Sequence, residues 1–135
     1  RNVRHAGTIM RMATQAAEEV VDALFDAFEA RDFEQAREFL SDETFSYQSP
    51  IESFTNADEF ITNISRVGPI LERIERCKTF VKGNDVCSVL KIHTTMDRLN
   101  AALVVQITTV VDGKITAMEA VFDATEYNKM IVTGG

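Results

Sequence analysis

After Pro69 the chain becomes a train of β-branched runs, broken at Gly83-Asn84, near Asp97-Arg98 and at Asp112-Gly113. Three turn signals between apolar runs predict four successive antiparallel strands joined by hairpins. Asp112-Gly113 is the sharpest signal, because both central residues of a type I′ turn need positive φ, which Asp tolerates and Gly adopts freely. Such a meander has one apolar face to bury. A chain of 135 residues with 45% hydrophobic content can supply one cover for that face and has no room for a second domain.

The cover comes first in the chain. From Thr14 to Arg31, apolar residues recur as Val20, Leu24, Phe28 and Val21, Phe25. That i, i+4, i+8 stripe predicts an amphipathic helix whose Glu18, Glu19, Asp22, Asp26 and Glu29 lie mainly on solvated faces. Asp32, with Gln35 three residues on, caps a second short helix from Phe33 to Leu40. Thr44 to Ser49 alternates as a half-buried strand that Pro50 ends. Asn56 and Glu59 cap a third helix, which turns Phe60, Ile64 and Val67 inward. It stops at Gly68-Pro69, since proline lacks a donor and disfavours a helical predecessor. Asp123 is expected to cap a last helical segment from Ala124 to Ile131. The expected fold class is α+β, with helices closing over a curved antiparallel sheet around an apolar pocket. Residues 1–13 are expected to be a flexible leader or tag remnant, and 14–131 the domain.

Hairpin arithmetic assigns the faces, because residues paired across a two-residue turn share one. Two-residue turns at Asp97-Arg98 and Asp112-Gly113 pair Val105 with both Leu90 and Ala120, and the Gly83-Asn84 turn sets Cys77 opposite Leu90. The covered face then holds Leu90, Ile92, Val105, Ile107, Met118 and Ala120. The outer face carries Arg76, Lys78, Lys91, His93, Gln106 and Glu119. Covering the second set instead would bury unpaired charges at several kcal/mol each. A bulge, or a third residue in the Asp97 turn, would reverse the assignment.

Charge and composition exclude whole classes of function. The chain carries −7, and Arg1, Arg4 and Arg11 fall in the first 13 residues with no acid, so the rest holds 11 basic against 21 acidic groups, or −10. Nucleic acid would be repelled. The longest uncharged apolar stretch, Leu99 to Val111, is far shorter than the ~20 residues a bilayer needs, so no membrane partner is expected. Cys77 and Cys87 are out of register for a bridge across their turn, which leaves free thiols and a cytoplasmic setting. No Cys/His/carboxylate set has ligand spacing, so neither a metal nor another cofactor is expected.

The order helix, helix, strand, helix, four strands, with the closing run Thr108-Val-Val-Asp-Gly-Lys-Ile-Thr-Ala-Met-Glu-Ala-Val-Phe-Asp123, resembles the nuclear transport factor 2-like superfamily, especially its SnoaL-like members. Arg31-Asp32-Phe33 and Tyr47-Gln48-Ser49-Pro50 add to the likeness, which spans about residues 14 to 131. The resemblance implies a cone-shaped, cystatin-like α+β barrel, and a homodimer through the outer sheet face, where Val89, Ala102, Val104, Ala117 and Val121 are expected. It does not choose an activity, since the superfamily includes steroid isomerases, polyketide cyclases, epoxide hydrolases and non-catalytic members.

The resemblance places Leu24, Ser49 and Ile107 where steroid isomerases carry their tyrosine, aspartate base and protonated aspartate. Against limonene epoxide hydrolases, Tyr47-Gln48-Ser49 matches part of a water-positioning motif, but His93-Thr94-Thr95 stands at the Arg-x-Asp and Ala120 at the last aspartate. The acid and base of both chemistries are missing. Catalytic candidates are Tyr47, Ser49 and His93, although a strand histidine on a charged face, such as His93, reads first as a surface residue. Expected pocket residues are Leu24, Phe28, Tyr47, Ser49, Leu90, Ile92, Val105, Ile107, Met118 and Ala120, apolar positions that fill a core by default. Three functions fit: binding of a small hydrophobic ligand, an isomerase, cyclase or hydrolase on a small polyketide- or steroid-like substrate, and a dimeric interaction module with a filled pocket.

Overall fold

A computed structural model of the chain describes the backbone of residues 2–125 and the side chains of residues 16–125 other than Arg98. Three helices, α1 (Asn2–Glu29), α2 (Phe33–Glu38) and α3 (Ala57–Val67), alternate with two short strands, β1 (Ser46–Gln48) and β2 (Ser53–Phe54), before a meander of β3 (Leu71–Lys82), β4 (Asp85–Thr94), β5 (Ala102–Val111) and β6 (Lys114–Val121). Helical backbone runs back to Asn2, through the stretch expected to be a leader, where a single Gly7 costs only about 1 kcal/mol and no proline intervenes. Beyond Thr125 the last expected helix lies outside the described residues. Asp123 Oδ1 accepts from the Thr125 amide at 3.0 Å, as a cap would.

The capping residues perform as their chemistry requires. Asp32 accepts from the Gln35 amide at 3.1 Å and Asn56 from the Glu59 amide at 3.0 Å. The end of α1 is a Schellman turn, with the Arg31 amide bonded to Phe28 O and the Asp32 amide to Ala27 O. Its left-handed residue is Arg31, at φ 58, where glycine is usual. The same side chain reaches across the fold, Nε donating to Gly68 O at 2.9 Å and a terminal nitrogen to Leu71 O at 2.6 Å, and so fastens α1 to the α3–β3 junction.

The sheet order is β2-β1-β6-β5-β4-β3. It is mixed, which corrects the expectation of a purely antiparallel sheet: Ser46, Tyr47 and Gln48 of β1 run parallel to Ala117, Met118 and Glu119 of β6. The whole meander separates these two strands in the chain, so no tight turn forces them antiparallel. Asp112 and Gly113 have φ 51 and 77, the type I′ pattern, whereas only Gly83 is positive in the β3–β4 turn.

Three one-residue irregularities decide which side chains face inward. An extra residue, Thr116, interrupts the β5–β6 ladder, so that Gln106 pairs with Ala120 and Thr108 with Met118. The β4–β5 connection contains a helical turn at Asp97–Leu99 and sets Leu90 opposite Val104. Together they turn β5 over: Val105 and Ile107 face away from the helices, and Val104, Gln106 and Thr108 face in. On β3 the extra residue Cys77 puts Arg76, not Cys77, opposite Leu90.

Arg76 is therefore under α1, contrary to its expected outward placement. Its charge is met there by Asp26 at 2.8 Å and Glu29 at 3.0 Å, with Asp22 at 3.8 Å, while its guanidinium lies 5.4 Å from the centre of the Phe25 ring. Acidic residues assigned to a solvated helix surface thus neutralise the one cation that a bulge turns inward. The core between helices and sheet is built from fully buried Val21, Leu24, Leu40, Phe60, Leu90 and Ile115.

Candidate functional site

Aromatic rings gather around Phe60 because α3 projects it at the end of the sheet where β1 and β2 arrive. Phe45, Tyr47, Phe54 and Phe28 have ring centres 5.4, 4.6, 6.2 and 6.5 Å from that of Phe60. Between this cluster, the inner face of α1 and strands β3 to β6 lies a cavity of about 180 Å³. Its wall is mainly apolar, with Phe25, Phe33, Ile64, Ile74 and Phe122 among its residues. The polar side chains on it are Tyr47, Glu52, Asn63 and Gln106.

Of the residues expected at this pocket, Phe28, Tyr47, Leu90, Ile92, Met118 and Ala120 do line the cavity. Leu24 is fully buried in the core and does not border it. Val105 and Ile107 are displaced to the outer face by the reversal of β5, and Val104 and Gln106 replace them. Ser49 is not on the wall either. Its Oγ accepts from the Ile51 and Glu52 amides at 3.3 Å and lies 3.3 Å from Glu52 O, so this hydroxyl organises the 49–52 turn.

His93 sits on the outer face, its Nε2 2.8 Å from Glu75 Oε1 and 3.2 Å from an Arg73 nitrogen. The His93 hydrogen bond, with Arg73 and Lys91 nearby, holds the Glu75 carboxyl below the usual carboxylate range. This is surface electrostatics remote from the cavity. Glu119, too, is exposed on the outer side.

Three polar wall residues escaped the sequence reading. Asn63 donates to Glu52 Oε1 at 2.8 Å, and its position was readable: three residues after Phe60 and beside Ile64, it belongs to the inward stripe of α3. Glu52 follows the Pro50 turn, where no periodicity applies. Gln106 was hidden by the register change. Among the described residues no three His, Cys, Asp or Glu side chains could hold a metal ion, and no helix is long and apolar enough to cross a membrane.

No family model matches the sequence, and no curated protein matches it. Solved structures do. A nuclear transport factor 2-like protein of unknown function from Cytophaga hutchinsonii matches with a TM-score of 0.73 at 18% identity, over 83% of this chain and 94% of that one. An LEH-like epoxide hydrolase from M. tuberculosis matches at 0.73 and 19%, over 90% and 98%. A de novo designed protein with a curved β-sheet matches at 0.74 and 17%, over 87% and 93%. An enzyme and a designed chain share this architecture, so the likeness fixes the backbone and leaves the chemistry to the side chains. The chain has the fold of the nuclear transport factor 2-like superfamily.

Proposed function

We propose that this protein binds a small hydrophobic molecule between its helices and its sheet. The observation that carries the reading is the aromatic-walled cavity of about 180 Å³, left open beside a core of fully buried side chains. Drug-sized ligands occupy about 300–1,000 Å³. An apolar cavity of about 150 Å³ accepts benzene, so a single substituted ring is the size that fits here. A steroid does not fit without rearrangement. Catalysis through Ser49 and His93 loses its support, since one hydroxyl is committed to a turn and the imidazole is on the far side of the sheet. Thermal unfolding with and without saturating toluene tests the reading. A ligand at a hundredfold its Kd stabilises by about 2.7 kcal/mol, whereas an unchanged midpoint across a panel of single-ring compounds would sink it.

The same reading includes a homodimer through the outer sheet face. Val89, Val105 and Val121 form one cross-strand row, and Ile107 lies in the next. Leu103 and Val121 are 57% and 55% exposed, Ile107 is 39% exposed, and Lys91 and Glu119 lie beside them. An apolar centre with both charge signs at its margin suits a self-complementary two-fold contact. Light scattering at micromolar concentration should give a dimer mass, and Val105→Glu with Ile107→Glu should give a monomer that still binds the cavity ligand. A monomeric unmodified protein would refute this. The unpaired thiols Cys77 and Cys87 support a reducing, cytoplasmic setting.

A further inference from the structure

The polar groups on the cavity wall describe the ligand more closely than the volume does. Gln106 enters the wall from the middle of β5, between Ser88 and Ala120 on the neighbouring strands, and is only 8% exposed. One end of its carboxamide is engaged, Nε2 donating to Oγ1 of the fully buried Thr108 at 3.3 Å. The carbonyl end has no hydrogen bond within the described residues. It is not sealed in either, because the enclosed side-chain atom without a partner among them is Arg76 Nε. The free end of a nine-tenths buried carboxamide therefore opens into the cavity that Gln106 lines.

A buried amide group in an apolar wall calls for a partner. Were the amide turned over, its oxygen would accept from the Thr108 hydroxyl and its NH₂ would face the cavity. A hydroxyl both donates and accepts, so it satisfies either face. The second polar feature of the wall sets the charge of the ligand. Glu52 lines the cavity with its carboxylate held by Asn63, and the chain as a whole carries −7, so an anionic ligand is disfavoured.

Resting on the binding function proposed above, we infer that the ligand is a neutral, single-ring molecule bearing a hydroxyl, and that Gln106 bonds this hydroxyl. Gln106 is then the specificity-determining residue of the cavity. The apolar wall supplies affinity for any ring, and Gln106 selects those with an oxygen in the right place.

Toluene and phenol have nearly the same shape and differ by a methyl and a hydroxyl. Their affinities for the full chain are to be measured by amide chemical-shift titration, in the unmodified protein and in Gln106→Leu and Gln106→Met. Comparing the phenol-to-toluene affinity ratio across proteins cancels the different hydration of the two compounds. The ratio should fall about five- to tenfold in both variants, the worth of one net hydrogen bond. In the unmodified protein, which needs no variant to fold, the Gln106 side-chain amide resonances should move with phenol more than with toluene. If both compounds bind and neither the ratio nor that difference behaves so, the role of Gln106 is wrong while the cavity still binds rings. Absence of binding by both overturns the cavity reading and this one with it. Benzoate binding more tightly than phenol would overturn the requirement for a neutral ligand.

Discussion

Phe60→Ala should lower the unfolding free energy by about 3–5 kcal/mol, the range for truncating a large aromatic residue in a core. Phe60 is 1% exposed and has four rings around it, so its removal strips edge and face contacts from Phe28, Phe45, Tyr47 and Phe54 together. Small domains have only about 5–15 kcal/mol of stability, so this variant should be near the limit of folding. Urea denaturation followed by circular dichroism measures the loss. Because Phe60 also borders the cavity, a single-ring compound should restore part of what is lost, as ligands do in engineered apolar voids. A loss under about 1.5 kcal/mol with an unchanged denaturant slope would show that the aromatic cluster is not the keystone described here.

Gly68→Ala should cost about 1–3 kcal/mol, although the added group is one methyl. Gly68 has an ordinary helical φ of −48, so the demand for glycine is steric and not conformational. A Cβ at this position would stand 2.7 Å from Cζ of Phe33 and 3.0 Å from its Cε2, closer than carbon atoms approach. The Phe33 ring is rigid and lies against Phe28, so relief requires the start of α2 to move, and with it the Arg31 bond to the Gly68 carbonyl. The assignment is checked by a double-mutant cycle with Phe33→Leu. If the clash is the cause, the alanine substitution should cost markedly less in the Phe33→Leu background. Additive losses would place the cause elsewhere.

The caps, the helix stripes and the Asp112-Gly113 turn were legible because each depends on a few adjacent residues with strong local preferences, as Asn56 with Glu59 also does. The inward positions of β4 and β6 were legible too, but for an instructive reason. The Asp97–Leu99 turn shifts β5 by one residue against β4, and Thr116 shifts β6 by one against β5. The two slips cancel for β6, so Met118 and Ala120 were placed inward while β5 between them was reversed. Nothing local announces a bulge at Thr116 or Cys77: the evidence for it is distributed over partners far apart in the chain. Arg76 shows the same limit, since its inward position is tolerable only because Asp26 and Glu29 lie across the fold. Gln106, the most informative wall residue, was misplaced by the same one-residue slip, because the hairpin pairing that set the faces assumed a two-residue turn at Asp97-Arg98.

Besides Cys77, β3 carries a second extra residue at Glu72, and the two have a consequence for how copies of this protein meet at high concentration. Among the described residues β3 pairs on one side only, and a flat free strand of twelve residues would be a template for strand addition and growth into fibres. Irregularities at Glu72 and Cys77 interrupt the row of outward amides and carbonyls, and Arg73, Lys78 and Lys82 add charges that resist a second copy of the same edge. Open-ended growth along the ladder direction is thereby obstructed. Among the described residues the outer sheet face carries no such obstruction, and the symmetric contact proposed for it would use the same surface of both copies and stop at two.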